Sequence, residues 1–377
     1  MSANPESLFA AADRHAETLA RQRLVLYAGA NLPSPEVLAA YAPGLGAMPA
    51  MGPSFDKEQP GTELVSHFEV AVRDEACALF GAAWAEPRLP TATLCNLAVF
   101  HAYARPGDLL LAPDKAHGGH LSQRRGGTPE LAGLACAELP FDAAEYRLDA
   151  DGAARLVAER LPRLVMLGRS VMLRADDIAP VVAAARAVGA TTVFDASHVA
   201  GLIAGGTYPN PLAQGVDVLV TSTYKTILGI PHGLILGGDP AQGEALARLL
   251  DARFLANYNP ALLPPLLRVL LEMRSGAAAY AQRIVANTAA LAAACRAGGR
   301  WRDRRPVPGH HPAGTDRPAG GHAVPHHARP RAGRDGARRR HLRGAALPCA
   351  FIRNVRSGDE PVRPCASPGA ACHAHKA

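Results

Sequence analysis

Three short apolar segments of the sequence carry, at or just after their ends, side chains suited to nucleophilic or acid–base chemistry. Asp195 ends TTVFD with His198 three residues on, Lys225 follows VDVLVTS among hydroxyl residues, and His117 and His120 follow DLLLAP. A lysine amine forms Schiff bases with carbonyl groups, and a carboxylate can keep a heterocyclic nitrogen protonated. The separation of 30 residues between Asp195 and Lys225 allows one crossing between strands, which would bring both groups to neighbouring strand ends.

A fourth segment could bind an anion. Thr91, Ala92 and Thr93 open the helical stretch Leu94–Phe100, and hydroxyl and free N–H groups at a helix start bind phosphate. Taken singly, a lysine after a strand is usually a solvated charge, a strand-terminal aspartate a helix cap, and a histidine in a glycine-rich loop an exposed side chain. The order and spacing of all four features together predict a pocket for pyridoxal 5'-phosphate, with an imidazole covering the ring.

The segments that must position these groups alternate between apolar strands and alanine-rich helices. Apolar runs without polar alternation are typical of strands buried on both faces of a largely parallel sheet. A helix is predicted over Asp176–Val188, with Gly189 as its stop. Strand–helix–strand units at this spacing predict a three-layer α/β fold, in which ligands bind at the carboxyl ends of strands. The candidate strands are Asp108–Pro113, Leu164–Gly168, Thr191–Asp195, Val216–Ser222 and Leu234–Gly237.

The composition favours a globular protein of the reducing cytoplasm. The chain has 377 residues, of which 48% are hydrophobic and 19% charged. No apolar run reaches the ~18 residues of a membrane helix, and the N-terminus lacks the basic and apolar blocks of a secretory signal. The 7 cysteines form no CxxC pair, so neither a metal site nor a disulfide scaffold is predicted. We predict an N-terminal helical segment over residues 1–24, a cofactor-binding domain over 25–275, a connecting helix over 276–300 and a separate tail over 301–377.

Residues 301–377 differ in composition from the rest of the chain. They contain 15 Lys and Arg against 5 Asp and Glu, with 8 of the 15 histidines, whereas residues 1–300 contain 25 against 28. Such a tail could bind nucleic acid or, because it is rich in histidine, metal ions. We favour a third interpretation, an out-of-frame translation of a GC-rich gene, because Arg, Pro, Gly and His rise abruptly while Lys nearly disappears. The mildly acidic remainder predicts neither a nucleic-acid nor a membrane partner.

Five stretches of the sequence match the pattern of one known family. They are NLPSPEVLAA at 31–40, ALFGA at 78–82, PGDLLLAPDKAHGGHLS at 106–122, VFDASHVAGLIAGGTYPNPL at 193–212 and TSTYKTILGIPHGLIL at 221–236. From about residue 25 to 295 the sequence resembles the serine hydroxymethyltransferases, which are fold-type-I pyridoxal-phosphate enzymes. The resemblance implies a three-layer α/β/α large domain with a mostly parallel sheet. It also implies a C-terminal small domain, and because residues 301–377 occupy its place, that domain is missing or out of frame.

The resemblance implies a role for each chemistry-bearing residue. Lys225 corresponds to the Schiff-base lysine, Asp195 to the partner of the cofactor ring nitrogen, and His120 to the imidazole stacked on the ring. His198 and Ser170 correspond to residues near the cofactor's phenolic oxygen. Further cofactor contacts are implied for Thr91, Ala92, Thr93 and Tyr224. Members of the family are dimers whose active sites the partner subunit completes, so a homodimer is expected.

Two departures from the family pattern concern the substrate. Pro49 and Met51 stand where the family has a Tyr and a Glu that move protons on the substrate hydroxyl and on folate, and a methionine can neither donate nor accept a proton. Asp56, Glu58 or Glu63 would replace the Glu only if the loop were rearranged. These changes count against tetrahydrofolate as a second cofactor. The arginine that binds the substrate carboxylate belongs to the small domain of the family, and no residue of this chain is assigned to it.

These features predict an enzyme that makes or breaks the Cα–Cβ bond of a β-hydroxy-α-amino acid of the serine, glycine or threonine class. Two reactions are favoured about equally: serine–glycine hydroxymethyl transfer, and aldol or transaldol chemistry of the threonine type. A catalytically degraded relative that still binds pyridoxal phosphate is the alternative, because the small domain is not recognisable. A nucleic-acid-binding protein that uses the basic tail is the least favoured interpretation.

Overall fold

The computed structural model describes residues 4–22 and 27–297, so the tail predicted over 301–377 lies outside the described residues. Helix α10 is continuous across the boundary predicted between residues 275 and 276. The helices are α1 (Pro5–Glu17), α2 (Pro35–Ala39), α3 (Glu63–Phe80), α4 (Ala92–Tyr103), α5 (Thr128–Leu131), α6 (Ala150–Arg160), α7 (Ala179–Val188), α8 (Ala200–Ala204), α9 (Pro240–Leu249) and α10 (Leu263–Ala297). The strands are β1 (Trp84–Glu86), β2 (Leu109–Ala112), β3 (Ala135–Glu138), β4 (Phe141–Asp142), β5 (Arg147–Leu148), β6 (Leu164–Leu167), β7 (Thr191–Asp195), β8 (Val218–Ser222) and β9 (Gly233–Gly237).

Seven of these strands form one sheet in the order β1-β9-β8-β7-β6-β2-β3. From β3 to β8 neighbouring strands are parallel, whereas β9 runs antiparallel to β8 and β1 antiparallel to β9. The predicted α/β fold with a mostly parallel sheet is therefore confirmed. A parallel crossover needs about a dozen residues or more, so the short link over residues 223–232 explains the reversal of β9. Strands β4 and β5 pair separately.

The central strands are buried on both faces because their alternate side chains enter two different cores. In β6, Val165 and Leu167 belong to the core beneath α3, α7 and α10, whereas Leu164 and Met166 belong to the core beneath α4 and α9. This three-layer packing explains why the strand segments are continuous apolar runs in the sequence. It also brings the carboxyl ends of β2, β6, β7 and β8 to one edge of the sheet.

The observed elements differ from the predicted ones mainly at their ends. Strand β7 has the predicted bounds, whereas β1, β3, β4 and β5 were not predicted. Helix α7 begins three residues later than expected, because the Asp176 carboxylate lies before it and accepts two bonds from Arg169 Nη2, at 2.7 and 2.6 Å. Gly189 ends α7 in the left-handed conformation, with φ 71°. Among the described residues, no helix is long and apolar enough to cross a membrane.

Candidate active site

The carboxylate of Asp195 is fixed at the carboxyl end of β7. It is buried, with 5% of the residue exposed. The backbone N–H of Ser197 donates to Oδ1 at 3.0 Å, and the side-chain amide of Asn96 donates to Oδ2 at 3.0 Å. Asn96 lies on α4 and is fully buried. These two bonds, from different elements, hold the carboxylate in one orientation.

The end of β6 approaches Asp195 so closely that only glycine fits there. Gly168 has φ +80°, in the left-handed region that favours glycine, and a Cβ at this position would lie 2.4 Å from the backbone oxygen of Asp195. A side chain would therefore be strained by the backbone conformation and would also displace β7. The glycine keeps the β6 and β7 ends in register where the candidate site begins.

Lys225 lies three residues after β8 and is half-buried. Burial lowers the pKa of its amine, and the Asp195 carboxylate opposes that shift. The amine lies 5.6 Å from the centre of the Tyr224 ring. The backbone carbonyl of Lys225 accepts a bond of 2.7 Å from the side-chain amide of Asn31. The main chain is thus anchored, and a lowered pKa increases the fraction of neutral, nucleophilic amine.

Two imidazoles complete the electrostatic cluster around Lys225. Burial lowers the pKa of His120, and it lowers the pKa of His198 to about 3. For both rings the Lys225 ammonium adds to the shift and the Asp195 carboxylate opposes it. Both imidazoles are therefore neutral at pH 7. These mutual effects mean that the structure brings together the four side chains that the sequence singled out for catalysis.

The N-terminus of α4 faces the same edge of the sheet. Thr91 is the N-cap, and its hydroxyl accepts a bond of 3.2 Å from the backbone N–H of Leu94. Ala92 and Thr93 occupy the first turn and are half-buried. A Cβ on Gly233, at the start of β9, would lie 2.6 Å from the backbone carbon of Thr91. The helix start is therefore pressed against the sheet with backbone N–H groups and hydroxyls available for an anion.

Two further predicted residues lie at the site without joining the cluster of four. Ser170 is half-buried after β6, and its backbone N–H donates to the carbonyl of Gly118 at 2.9 Å. Tyr224 is half-buried, and burial raises the pKa of its phenol. Within the described part of the chain, no hydrogen bond joins the side chains of Ser170, Thr91 or Thr93 to Asp195 or Lys225. Their roles as cofactor contacts remain predictions.

Comparison with known proteins decides the family. The family model for serine hydroxymethyltransferase matches residues 5–243. The chain belongs to the serine hydroxymethyltransferase family. The resemblance predicted from the sequence is thereby confirmed.

Relatives with two different names are similar to the chain. An alpha-methylserine aldolase from Variovorax paradoxus is 35% identical over 279 residues, which cover 74% of this chain and 63% of that protein. A serine hydroxymethyltransferase from Thermococcus onnurineus is 35% identical over 272 residues, or 71% and 63% of the two chains. The serine hydroxymethyltransferase of Methanopyrus kandleri is 33% identical over 296 residues, or 78% and 68%. The chain spans less than two thirds of the alpha-methylserine aldolases that it matches.

The loop that departs from the family pattern is held by a buried ion pair. Met51 is half-buried, and its backbone N–H donates to the side chain of Gln59 at 2.8 Å. Lys57 Nζ lies 2.6 Å from Glu69 Oε1, with 3% and 0% of the two side chains exposed. Asp56, Glu58 and Glu63, which were considered as replacements for the missing Glu, are exposed. Neither Lys57 nor Glu69 is among the residues that the sequence pattern indicates for the site.

Other polar groups at the site were also missed by the sequence analysis. Asn96 lies in the apolar helical stretch LCNLAVF, where a lone buried amide was the available signal. Ser122 lies two residues after His120, and its hydroxyl contacts the His120 ring. The hydroxyl of Ser222, at the end of β8, is buried without a partner among the described residues.

The residues present fit pyridoxal phosphate. The site offers a lysine amine with a lowered pKa, a fixed buried carboxylate, neutral imidazoles and a helix N-terminus. The unpartnered hydroxyl of Ser222 adds a polar atom with unused hydrogen-bonding capacity at the same edge. Buried polar groups are normally paired, so an orphaned hydroxyl indicates a place for a ligand or water. Across the described residues, no group of three or more His, Cys, Asp or Glu side chains is placed to hold a metal ion.

Proposed function

We propose that this chain binds pyridoxal phosphate through Lys225 and makes or breaks the Cα–Cβ bond of a β-hydroxy-α-amino acid. The observation that supports this most directly is the meeting of one lysine amine, one fixed carboxylate and two neutral imidazoles at the carboxyl edge of the sheet. Membership of the family supports the same cofactor.

The cofactor, when bound, supplies an aldehyde that joins to amines and a ring that withdraws electrons from the bonds at the substrate Cα. Lys225 would contribute the amine that joins to that aldehyde, and its lowered pKa favours the neutral, reactive form. Asp195 would keep a proton on the ring nitrogen, and its bonds from Asn96 and Ser197 hold the carboxylate in place. The electron-withdrawing power of the ring depends on this proton.

The remaining residues would position the cofactor ring and bind its phosphate. His120 would cover one face of the ring, and His198 and Ser170 would lie near the phenolic oxygen. The N-terminus of α4 would hold the phosphate, with Thr91, Ala92 and Thr93 as the contacting turn. Tyr224 flanks the lysine, as its distance of 5.6 Å from the amine to the ring centre indicates.

Aldol-type cleavage or formation is the reaction that the loop over residues 49–58 favours. Met51 cannot move a proton, and Asp56 and Glu58 beside it are exposed. Several similar relatives are named alpha-methylserine aldolases. We therefore propose a serine-, threonine- or α-methylserine-class substrate cleaved to an aldehyde and an amino acid without tetrahydrofolate. Hydroxymethyl transfer with folate is the less favoured form of the same chemistry.

The alternative function is cofactor binding without turnover. It is supported by the departures at Pro49 and Met51 and by the unassigned partner for the substrate carboxylate. The same scaffold would then hold pyridoxal phosphate and lack a complete substrate site. For the whole protein we also propose a cytoplasmic location and a homodimer. Light scattering of the cofactor-loaded protein tests the homodimer.

A visible absorption spectrum of the purified protein with pyridoxal phosphate tests the proposal. We expect the band of the lysine-bound cofactor in the wild type and in Lys115→Ala, whose lysine is exposed, and its loss in Lys225→Ala. Glycine, serine, threonine and α-methylserine are then added, each with and without tetrahydrofolate. Aldehyde release without folate supports the aldolase, and a band without turnover supports the alternative. A folded wild-type protein with no band would overturn both.

A further inference from the structure

A hydrogen-bonded chain joins Asp195 to His120 through two residues with no assigned role. Asn96 uses its side-chain amide nitrogen twice, donating to Asp195 Oδ2 at 3.0 Å and to Ser122 Oγ at 2.9 Å. A carboxylate only accepts hydrogen bonds, so the nitrogen of the amide, and not its oxygen, must face Asp195. The orientation of the Asn96 side chain is therefore determined by chemistry.

The side-chain carbonyl oxygen of Asn96 is evidence that the two bonds donated by the amide nitrogen have a specific role. Asn96 Oδ1 is buried and has no hydrogen-bond partner among the described residues. Leaving a buried carbonyl unpaired is costly, and an apolar side chain at this position of α4 would avoid that cost. The two donated bonds must therefore supply something that an apolar residue cannot.

Ser122 links Asn96 to the imidazole of His120 by hydrogen bonds. Its hydroxyl accepts the bond from Asn96 and lies 2.8 Å from His120 Nδ1, within reach to donate its proton to a bare ring nitrogen. The backbone N–H of Ser122 points to the same nitrogen at 3.3 Å. A backbone N–H can only donate, so Nδ1 must offer a bare lone pair, and the neutral ring carries its proton on Nε2.

Burial keeps the His120 ring neutral. Burial lowers its pKa, Lys225 and Arg124 lower it further, and Asp195 opposes them. His198 is the other titratable ring of the cluster, and it is neutral as well. Among the described residues no side chain bonds to His120 Nε2, so its N–H is available to a bound ligand.

We propose that Asn96 and Ser122 are positioning residues that hold His120 as the Nε2–H tautomer, making the ring a hydrogen-bond donor toward the site and not a general base. This proposal rests on the proposed function for its consequence in catalysis. In that setting the N–H would stabilise negative charge on an oxygen of the cofactor or substrate. Because Nε2 is already protonated, it would accept no proton from the substrate hydroxyl.

Nitrogen NMR of the cofactor-free, ¹⁵N-histidine-labelled protein tests the tautomer directly. Long-range proton–nitrogen correlation spectra distinguish a bare ring nitrogen from a protonated one, and His120→Asn identifies the signals. We expect a bare Nδ1 and a protonated Nε2 at pH 7. A wild-type protein with the proton on Nδ1 overturns the proposal without any variant.

Variants of Ser122 then separate positioning from packing. In Ser122→Ala we expect a mixture of the two tautomers, whereas Ser122→Thr keeps the hydroxyl and should keep the wild-type spectrum. With the cofactor and an active substrate, kcat of Ser122→Ala should fall roughly tenfold with KM nearly unchanged, as for a donor used in the transition state. An unchanged tautomer in Ser122→Ala would refute the role of Ser122. The Lys225→Ala spectrum reports on the proposed function, so the two failures are distinguishable.

Discussion

At the scale of single residues, the site is defined by how burial changes the charge state of its basic groups. Burial, with a smaller effect of Lys225, lowers the pKa of His198 from 6.5 to about 3. Below pH 6.5 the unfolded chain binds a proton at this histidine and the folded protein does not. The stability that comes from the neutral buried ring is therefore present above pH 6.5 and is lost as the pH falls toward 3.

This linkage predicts an acid sensitivity that one substitution removes. The free energy of unfolding of the cofactor-free protein should fall by about 3 kcal/mol more between pH 6.5 and pH 4 in the wild type than in His198→Gln. His15→Gln, on the exposed surface of α1, is the control and should follow the wild type. Urea unfolding across this pH range measures the difference. Parallel curves for the wild type and His198→Gln would contradict the burial of a neutral ring.

Gly168 allows a second test at the residue scale, because conformational strain and steric clash can be separated. Gly168 and Gly189 have similar positive φ angles, +80° and +71°, but a Cβ would meet the Asp195 oxygen at 2.4 Å only at Gly168. We expect Gly189→Ala to cost about 1 kcal/mol from the left-handed conformation alone. Gly168→Ala should cost about 2 kcal/mol more and weaken pyridoxal-phosphate binding. Urea unfolding and a cofactor titration test this, and equal effects of the two substitutions would show that the close approach is unimportant.

The catalytic candidates could be predicted from the sequence, whereas the residues that position them could not. Asp195 and Lys225 follow apolar strands, and a parallel sheet forces the ends of such strands to one edge. Asn96 and Ser122 act through pairings across 99 and 26 residues of sequence, which local patterns do not encode. A buried asparagine in an apolar helix was a visible signal, but its partners depend on how α4 packs on the sheet.

At the scale of elements, the central strands and the mostly parallel sheet were predicted, whereas the edge strands β1 and β3 and the antiparallel direction of β9 were not. The apolar runs of β6 and β7 predict burial on both faces, and both cores confirm it. The antiparallel direction of β9 follows from the short link after β8, and that same link carries Lys225. The loop over residues 49–58 could not be placed from sequence, because its anchor is a buried ion pair with α3.

That anchor predicts a large stability loss from one substitution. Lys57→Met removes the nearer of two cations beside the Glu69 carboxylate, which is 0% exposed. Arg73 Nη2 remains at 4.0 Å, and the hydroxyls of Ser54 and Tyr258 still donate to the carboxylate. We expect a loss of about 2 kcal/mol or more, because these remaining partners compensate the buried charge only in part. Arg274→Ala breaks the more exposed ion pair to Glu75 between α10 and α3 and should cost less than about 1 kcal/mol. Equal midpoints for both variants in urea unfolding would rule out a structural role for the buried pair.

At the scale of the whole molecule, the residues of both described cores precede the basic tail in the sequence. Both cores are composed of residues up to Ile284, and every residue proposed to bind the cofactor lies between Thr91 and Lys225. The excess of basic residues belongs to 301–377, since residues 1–300 carry 25 Lys and Arg against 28 Asp and Glu. The tail is therefore separable in charge and in proposed function from the domain that holds the site.

Deletion of residues 301–377 should leave cofactor binding intact. We expect the shortened chain to bind pyridoxal phosphate with a Kd within about twofold of that of the full chain, because every residue proposed to bind the cofactor lies between Thr91 and Lys225. A tenfold change in Kd would require a difference of about 1.4 kcal/mol in the binding free energy. It should also show no salt-sensitive binding to DNA, whereas binding by the full chain alone would assign the tail to nucleic acid. Fluorescence titration with the cofactor and DNA retention at two salt concentrations make the comparison. Loss of the cofactor in a folded, shortened chain would show that the tail contributes to the site, because the Asp195 and Lys225 anchors lie outside the deletion.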